Sequence, residues 1–131
     1  MLGRSSYEKE YIDACRSQIE AQLAAYKPLA ATAGDFEPLF VNALILELEM
    51  MFVHRLRTKE GKDGNPANEV RMLCHSILTT GAVMTPPDGS IKYKPATTVL
   101  KIEIGQPIKV NIEQFKTLAE AYLKEIEAKF G

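Results

Sequence analysis

Apolar side chains recur along this chain with two different periods. At the start they fall at Tyr7, Tyr11, Ile12, Cys15, Ile19, Leu23 and Tyr26, with Glu8, Lys9, Asp13, Arg16, Gln18 and Glu20 elsewhere. This is the 3.6-residue period of an amphipathic helix and predicts one over about 6–26. Ser5 and Glu8 have capping-box spacing ahead of it. Residues 1–4 are expected to fray. Pro28 and the small residues Ala30, Ala31, Thr32, Ala33 and Gly34 form a linker poor in polar groups, expected to lie against the body.

The next stretch is almost wholly apolar. Between Leu39 and Val53 the polar residues are Asn42, Glu47 and Glu49. A helix that is apolar nearly all round is buried in a core or crosses a membrane. The run is too short and too acidic for a crossing. It predicts a central helix over 36–58, with Asp35 as N-cap, Pro38 in the first turn, and Arg55 and Arg57 at the favourable end of the dipole. Gly61 and Gly64 then break the chain. Asn65 as cap, Pro66 at the first helical position and Glu69 in the first turn open a third helix over 66–80. Its stripe is Val70, Leu73, Cys74, Ile77 and Leu78, and Gly81 is its stop signal.

Beyond it Pro86, Pro87, Asp88 and Gly89 are turn chemistry. Then the period changes to two. Leu100, Ile102 and Ile104 alternate with Lys101 and Glu103, and Ile108 and Val110 flank Lys109. Across Gly105-Gln106 this predicts an antiparallel β-hairpin over about 98–110 with a type II′ turn, to which 91–94 could add a short strand. Asn111 and Gln114 have capping-box spacing. Ile112, Phe115, Leu118, Ala119, Tyr122, Leu123, Ile126 and Phe130 then predict a last helix over 112–130. The fold class expected is mainly α, or α+β: one domain over 1–131, a four-helix assembly with a small β-hairpin between helices 3 and 4.

Composition changes this picture little. The 131 residues are 46% hydrophobic and 25% charged, ordinary for a globular chain. The net charge of −1 gives no global attraction to nucleic acid or to an anionic membrane. Cys15 and Cys74 lie on apolar stripes and are expected to be buried, reduced thiols. No apolar leader follows the first residues, so a cytoplasmic location is expected.

The densest polar chemistry lies in and beside the loop between helices 2 and 3. His54, Arg55, Arg57, Asn65, Asn68, Glu69, Arg71 and His75 are the candidate ligand-binding residues. From His54 to Arg71 there are five Lys/Arg against three Asp/Glu. Arginines beside a helix N-terminus suit a carboxylate or phosphate. The competing reading is a solvated loop with internal ion pairs. Calcium is rejected, because Ala67, Asn68 and Cys74 stand where an EF-hand needs a ligand, Gly and Glu. Met51 and Met72, not Glu, stand three residues before the two histidines, and HExxH and CxxC are absent. No metal or cofactor is expected. Cys74 and His75 are adjacent on a helix and cannot face each other as nucleophile and base. GxSxG, Walker A and GxGxxG are missing.

The block FVHRLRTKEGKDGNPANEVRMLCHSIL, 52–78, resembles small bacterial proteins of actinobacterial type, and the likeness extends to IKYKPATTVLKIEIGQPIKV. That family has no assigned activity, so it implies no functional residue. Two function classes follow. The first is a non-enzymatic interaction module that forms a homo-oligomer, most simply a dimer. The second is a small-ligand or anion-binding protein, with catalysis left open. Nucleic acid and membrane are not expected partners.

Overall fold

A computed structural model describes residues 3–87 and 89–131. The helices are α1 (Lys9–Tyr26), α2 (Ala30–Ala33), α3 (Phe36–Met51), α4 (Arg57–Glu60), α5 (Pro66–Thr79) and α6 (Ile112–Phe130), with 3-10 turns at Lys27–Leu29 and Pro95–Thr97. The expectation for residues 1 and 2, and the part of the 86–89 turn carried by Asp88, lie outside the described residues. Gly3 and Arg4 are held rather than frayed. Arg4 pairs with Arg55 in an isolated parallel bridge, its N–H on the His54 carbonyl at 2.6 Å and its own carbonyl accepting from Leu56 N–H at 2.8 Å.

The four long helices share one core. α3 packs on α1, α5 and α6, and α6 also packs on α1 and α5. Phe52, Phe115, Phe130, Ile45, Leu48, Leu73, Leu118 and Ile126 are fully buried in it. Local signals place the starts of α5 and α6. Asn65 accepts the Asn68 N–H at 3.0 Å, and Asn111 and Gln114 form a reciprocal capping box. At α3 the side chain of Asp35 makes no cap bond. Glu37 instead joins three helices: it accepts from Tyr26 Oη of α1 at 2.8 Å and from the first N–H of α6, Ile112, at 3.0 Å. α1 begins at Lys9 with Glu8 as N-cap, so the Ser5 capping box does not form. The linker after α1 folds into α2, but most of it is exposed rather than laid on the body.

Two expectations are corrected. The central helix does not run to 58. It ends at Met51, and the chain turns at 52–56 before the single turn of α4. The turn swings Arg55 inward, so Arg55 and Arg57 do not decorate a helix C-terminus.

The β-hairpin is absent: among the described residues no strand forms at 98–110 or 91–94. The N–H groups of Val99 and Leu100 bond to the Glu69 carboxylate instead of a neighbouring strand. Lys101 takes a φ of 56, which breaks an extended run. Gly105, φ 92, stands third in a turn closed by Gln106 N–H on the Glu103 carbonyl at 3.1 Å. A positive φ there belongs to type II, which splays strands, whereas type II′ would pair them. Residues 105–108 pair instead with 82–84, through Met84 N–H to Gln106 at 2.8 Å and Ile108 N–H to Ala82 at 2.7 Å. The alternating apolar residues still face the core, where Ile108 and Val110 are buried.

Candidate functional site

The charged loop folds inward around Arg55. Its guanidinium is fully buried. Nε donates to Glu60 Oε1 at 2.8 Å, and Nη1 lies 3.0 Å from Glu49 Oε1. Nη1 also reaches the Phe52 carbonyl at 3.1 Å and Tyr122 Oη at 3.0 Å, and Nη2 reaches the Ala67 carbonyl at 3.3 Å. Glu60, delivered by α4, is equally enclosed. Arg71 grips both its oxygens, Nη2 to Oε1 at 2.5 Å and Nε to Oε2 at 3.3 Å, and Asn68 Nδ2 donates to Oε2 at 2.6 Å. Two arginines thus face two glutamates, and the charge of this four-residue network sums to zero. That arrangement is required, since an unpaired buried charge is prohibitively costly.

The two carboxyls differ in setting. Burial pushes Glu60 up, but the Arg71 hydrogen bond and the Arg55 charge outweigh it, and the group sits below the ordinary glutamate range. At Glu49 burial wins over Arg55 and Arg71 and the group is raised. Burial also lifts the Tyr122 hydroxyl well above its usual value.

This accounts for most of the residues singled out in the sequence. Arg55, Asn68 and half of Arg71 are consumed by the network. Asn65 caps α5, and its Nδ2 donates to the Glu60 carbonyl at 2.8 Å and to Asp63 at 2.8 Å. Glu69 is buried and anchors the segment at 99–100; burial raises its carboxyl against the two N–H donors. His54 is exposed and lies away from His75, in a recess with Tyr11, Met50, Met51 and Val53. Among the described residues no cluster of three or more His, Cys, Asp and Glu gathers in metal-binding geometry. Cys74 is buried, its thiol 3.5 Å from the Ile45 carbonyl, and burial pushes it up to about 12, far from a reactive thiolate.

What remains is a cleft. Arg57 of α4, Arg71, Met72 and His75 of α5, and Thr85, Pro86, Pro87 and Ile91 line it, around ≈ 200 Å³. Three of the eight candidates therefore meet there. From sequence the prolines of the cleft read only as a turn, and Ile91 as the start of a short strand. Nothing in the local pattern says that a turn will close over another helix.

A second feature is the outer face of α3. Phe36, Leu39, Met50 and Val53 are 54%, 69%, 70% and 38% exposed, with exposed Ala43 and half-buried Leu46 between them. The face opposite, Val41, Leu44, Ile45 and Leu48, carries the core. The sequence implied burial on every side; α1 and α5 flank the helix and leave this face open. The signal that reveals it is the spacing 36, 39, 43, 46, 50, 53, which alternates three and four. Among the described residues, no helix is long and apolar enough to cross a membrane.

No known protein family, no curated protein and no solved structure matches this chain.

Proposed function

We propose that this protein is a non-catalytic interaction module that dimerises through the outer face of α3. The observation that carries this reading is the uncharged stripe Phe36, Leu39, Ala43, Leu46 and Met50, continued by Val53 in the turn after α3 and left open on a helix whose other side forms the core. Contiguous apolar surface of this kind marks an interaction site. Alternating spacings of three and four are those of a helix seam against another helix.

The stripe suits a second copy of itself. In an antiparallel pair, Ala43 meets the partner subunit's Leu46, Leu39 meets the partner's Met50, and Phe36 meets the partner's Val53. Each layer sets a large side chain against a smaller or more flexible one. The ends also match. Phe36 projects as the outermost ring of a stack, 5.8 Å from Phe40, which lies 4.9 Å from Tyr26. The recess lined by Tyr11, Met50, Met51, Val53 and His54 lies at the other end of the same stripe. A two-fold axis brings each ring to the other subunit's recess, as an isologous interface requires. At either edge, Asn42 Oδ1 and Glu47 Oε1 are shielded acceptors without a hydrogen-bond partner among the described residues.

Sedimentation equilibrium over a wide concentration range tests this. The expected result is a dimer mass, falling to the monomer mass in Leu39→Glu with helical circular dichroism unchanged. A monomer at every concentration, or a dimer unaffected by Leu39→Glu, overturns the reading.

A further inference from the structure

We propose that the cleft between α4, α5, residues 85–87 and Ile91 binds a small organic anion, a carboxylate or phosphate carried on an apolar body. The charge arithmetic of the buried network is the first argument. Glu49 and Glu60 are matched by Arg55 and Arg71, so the four sum to zero. Arg57 stands outside that balance: it is exposed, lines the cleft, and has no ion pair among the described residues.

Arg71 adds directional donors. Glu60 occupies its Nε and Nη2, which locks the guanidinium plane, while Nη1 lies 3.8 Å from Glu49, beyond hydrogen-bonding distance. Arg71 lines the cleft, and an arginine whose plane is fixed by a buried carboxylate loses little rotamer freedom on binding an anion. His75 also lines the cleft. An adjoining recess of ≈ 290 Å³ shares Arg57, Arg71 and Ile91 and adds Lys62, along with Glu60, whose carboxylate is already paired with Arg55 and Arg71.

The apolar lining decides the ligand class. Among the described residues, Pro86, Pro87 and Ile91 bring no charge to the cleft, and buried Met72 also lines it. A bare inorganic ion would leave that surface unused. An anion with a flat or short apolar body sets its charge on Arg57 and Arg71 and its body against the prolines. The ≈ 200 Å³ cavity limits it to a small molecule.

The test follows the backbone amides of the full-length chain by NMR while benzoate, phenyl phosphate or inorganic phosphate is added. We expect a saturable shift at Thr85, Ile91 and His75 with benzoate or phenyl phosphate. Whichever binds tighter identifies the head group. Inorganic phosphate should bind more weakly than phenyl phosphate. Arg57→Gln, at an exposed side chain that makes no hydrogen bond or ion pair among the described residues, should weaken binding by on the order of tenfold or more. Lys124→Gln, on a distant surface, should not. No saturable shift with any of the three probes overturns the proposal. So does equal binding of inorganic and phenyl phosphate, an unchanged affinity in Arg57→Gln, or an equal loss in Lys124→Gln.

Discussion

Arg55 Nε and Glu60 Oε1 lie 2.8 Å apart with both side chains out of water, although only one turn of chain separates them. The pair ties the loop to the core: Arg55 reaches Tyr122 of α6 and Glu49 of α3, while Glu60 holds Arg71 and Asn68 of α5. Replacing Arg55 leaves two buried carboxylates short of a partner. Arg55→Met should cost about 3–5 kcal/mol in urea unfolding. Removing the half-exposed Arg16, which pairs with Glu127 on the surface, should cost no more than about 1 kcal/mol. Equal effects would mean that the buried network contributes no more than a surface pair.

The same network gives the stability an acid limb. The folded Glu60 carboxyl lies below its unfolded value, through Arg71 and Arg55 working against burial. Its contribution is therefore present above the unfolded value, about 4.3, and is lost as pH falls through the lower folded one. Glu49 and Glu69 are raised by burial, so their contribution is full below the unfolded value and is lost as pH rises through the raised ones. The stability difference between the native chain and Glu60→Gln should shrink as pH drops below about 4.3. A difference that stays constant across that range would show that Glu60 is not held as a carboxylate.

Glu69 replaces the missing β partner. Its two oxygens accept from Val99 and Leu100 N–H, each at 2.9 Å. Glu69→Gln turns one acceptor into a donor that faces an N–H. Hydrogen exchange at Val99 and Leu100 should quicken by on the order of tenfold, with α6 unaffected. Unchanged protection at both amides would place the anchor of this segment elsewhere.

Much of this was legible beforehand, for a reason of range. Asn65 with Pro66, and Asn111 with Gln114, act over three residues, so the starts of α5 and α6 follow from neighbours along the chain. The stripes of α1, α5 and α6 follow from spacings of three and four. The segment around 98–110 shows the opposite case. Its alternation describes which side chains face the core, and Ile108 and Val110 do. It does not say which partner takes the backbone N–H groups, and Glu69, about thirty residues away, took two of them.

The candidate site divided along the same line. Eight residues near the loop were recognisable as a charged cluster. Which of them turn inward depended on the turn at 52–56, which folds Arg55 back onto Glu49, and on Tyr122, which is far from Arg55 in the chain. Arg55 became core, Arg57 surface, and Arg71 both.

The sequence by itself determined the caps of α5 and α6 and the apolar stripes of α1, α5 and α6, because those rest on backbone geometry and contacts within one or two turns. It also held the three-and-four spacing of the outer α3 residues. Only the tertiary structure decided that α1 and α5 stop at the edges of that stripe, that the loop charges cancel inside, and that Arg57 is left at a cleft. Burial is a property of what packs alongside, and an apolar residue carries no local mark of whether its neighbour will come from its own chain.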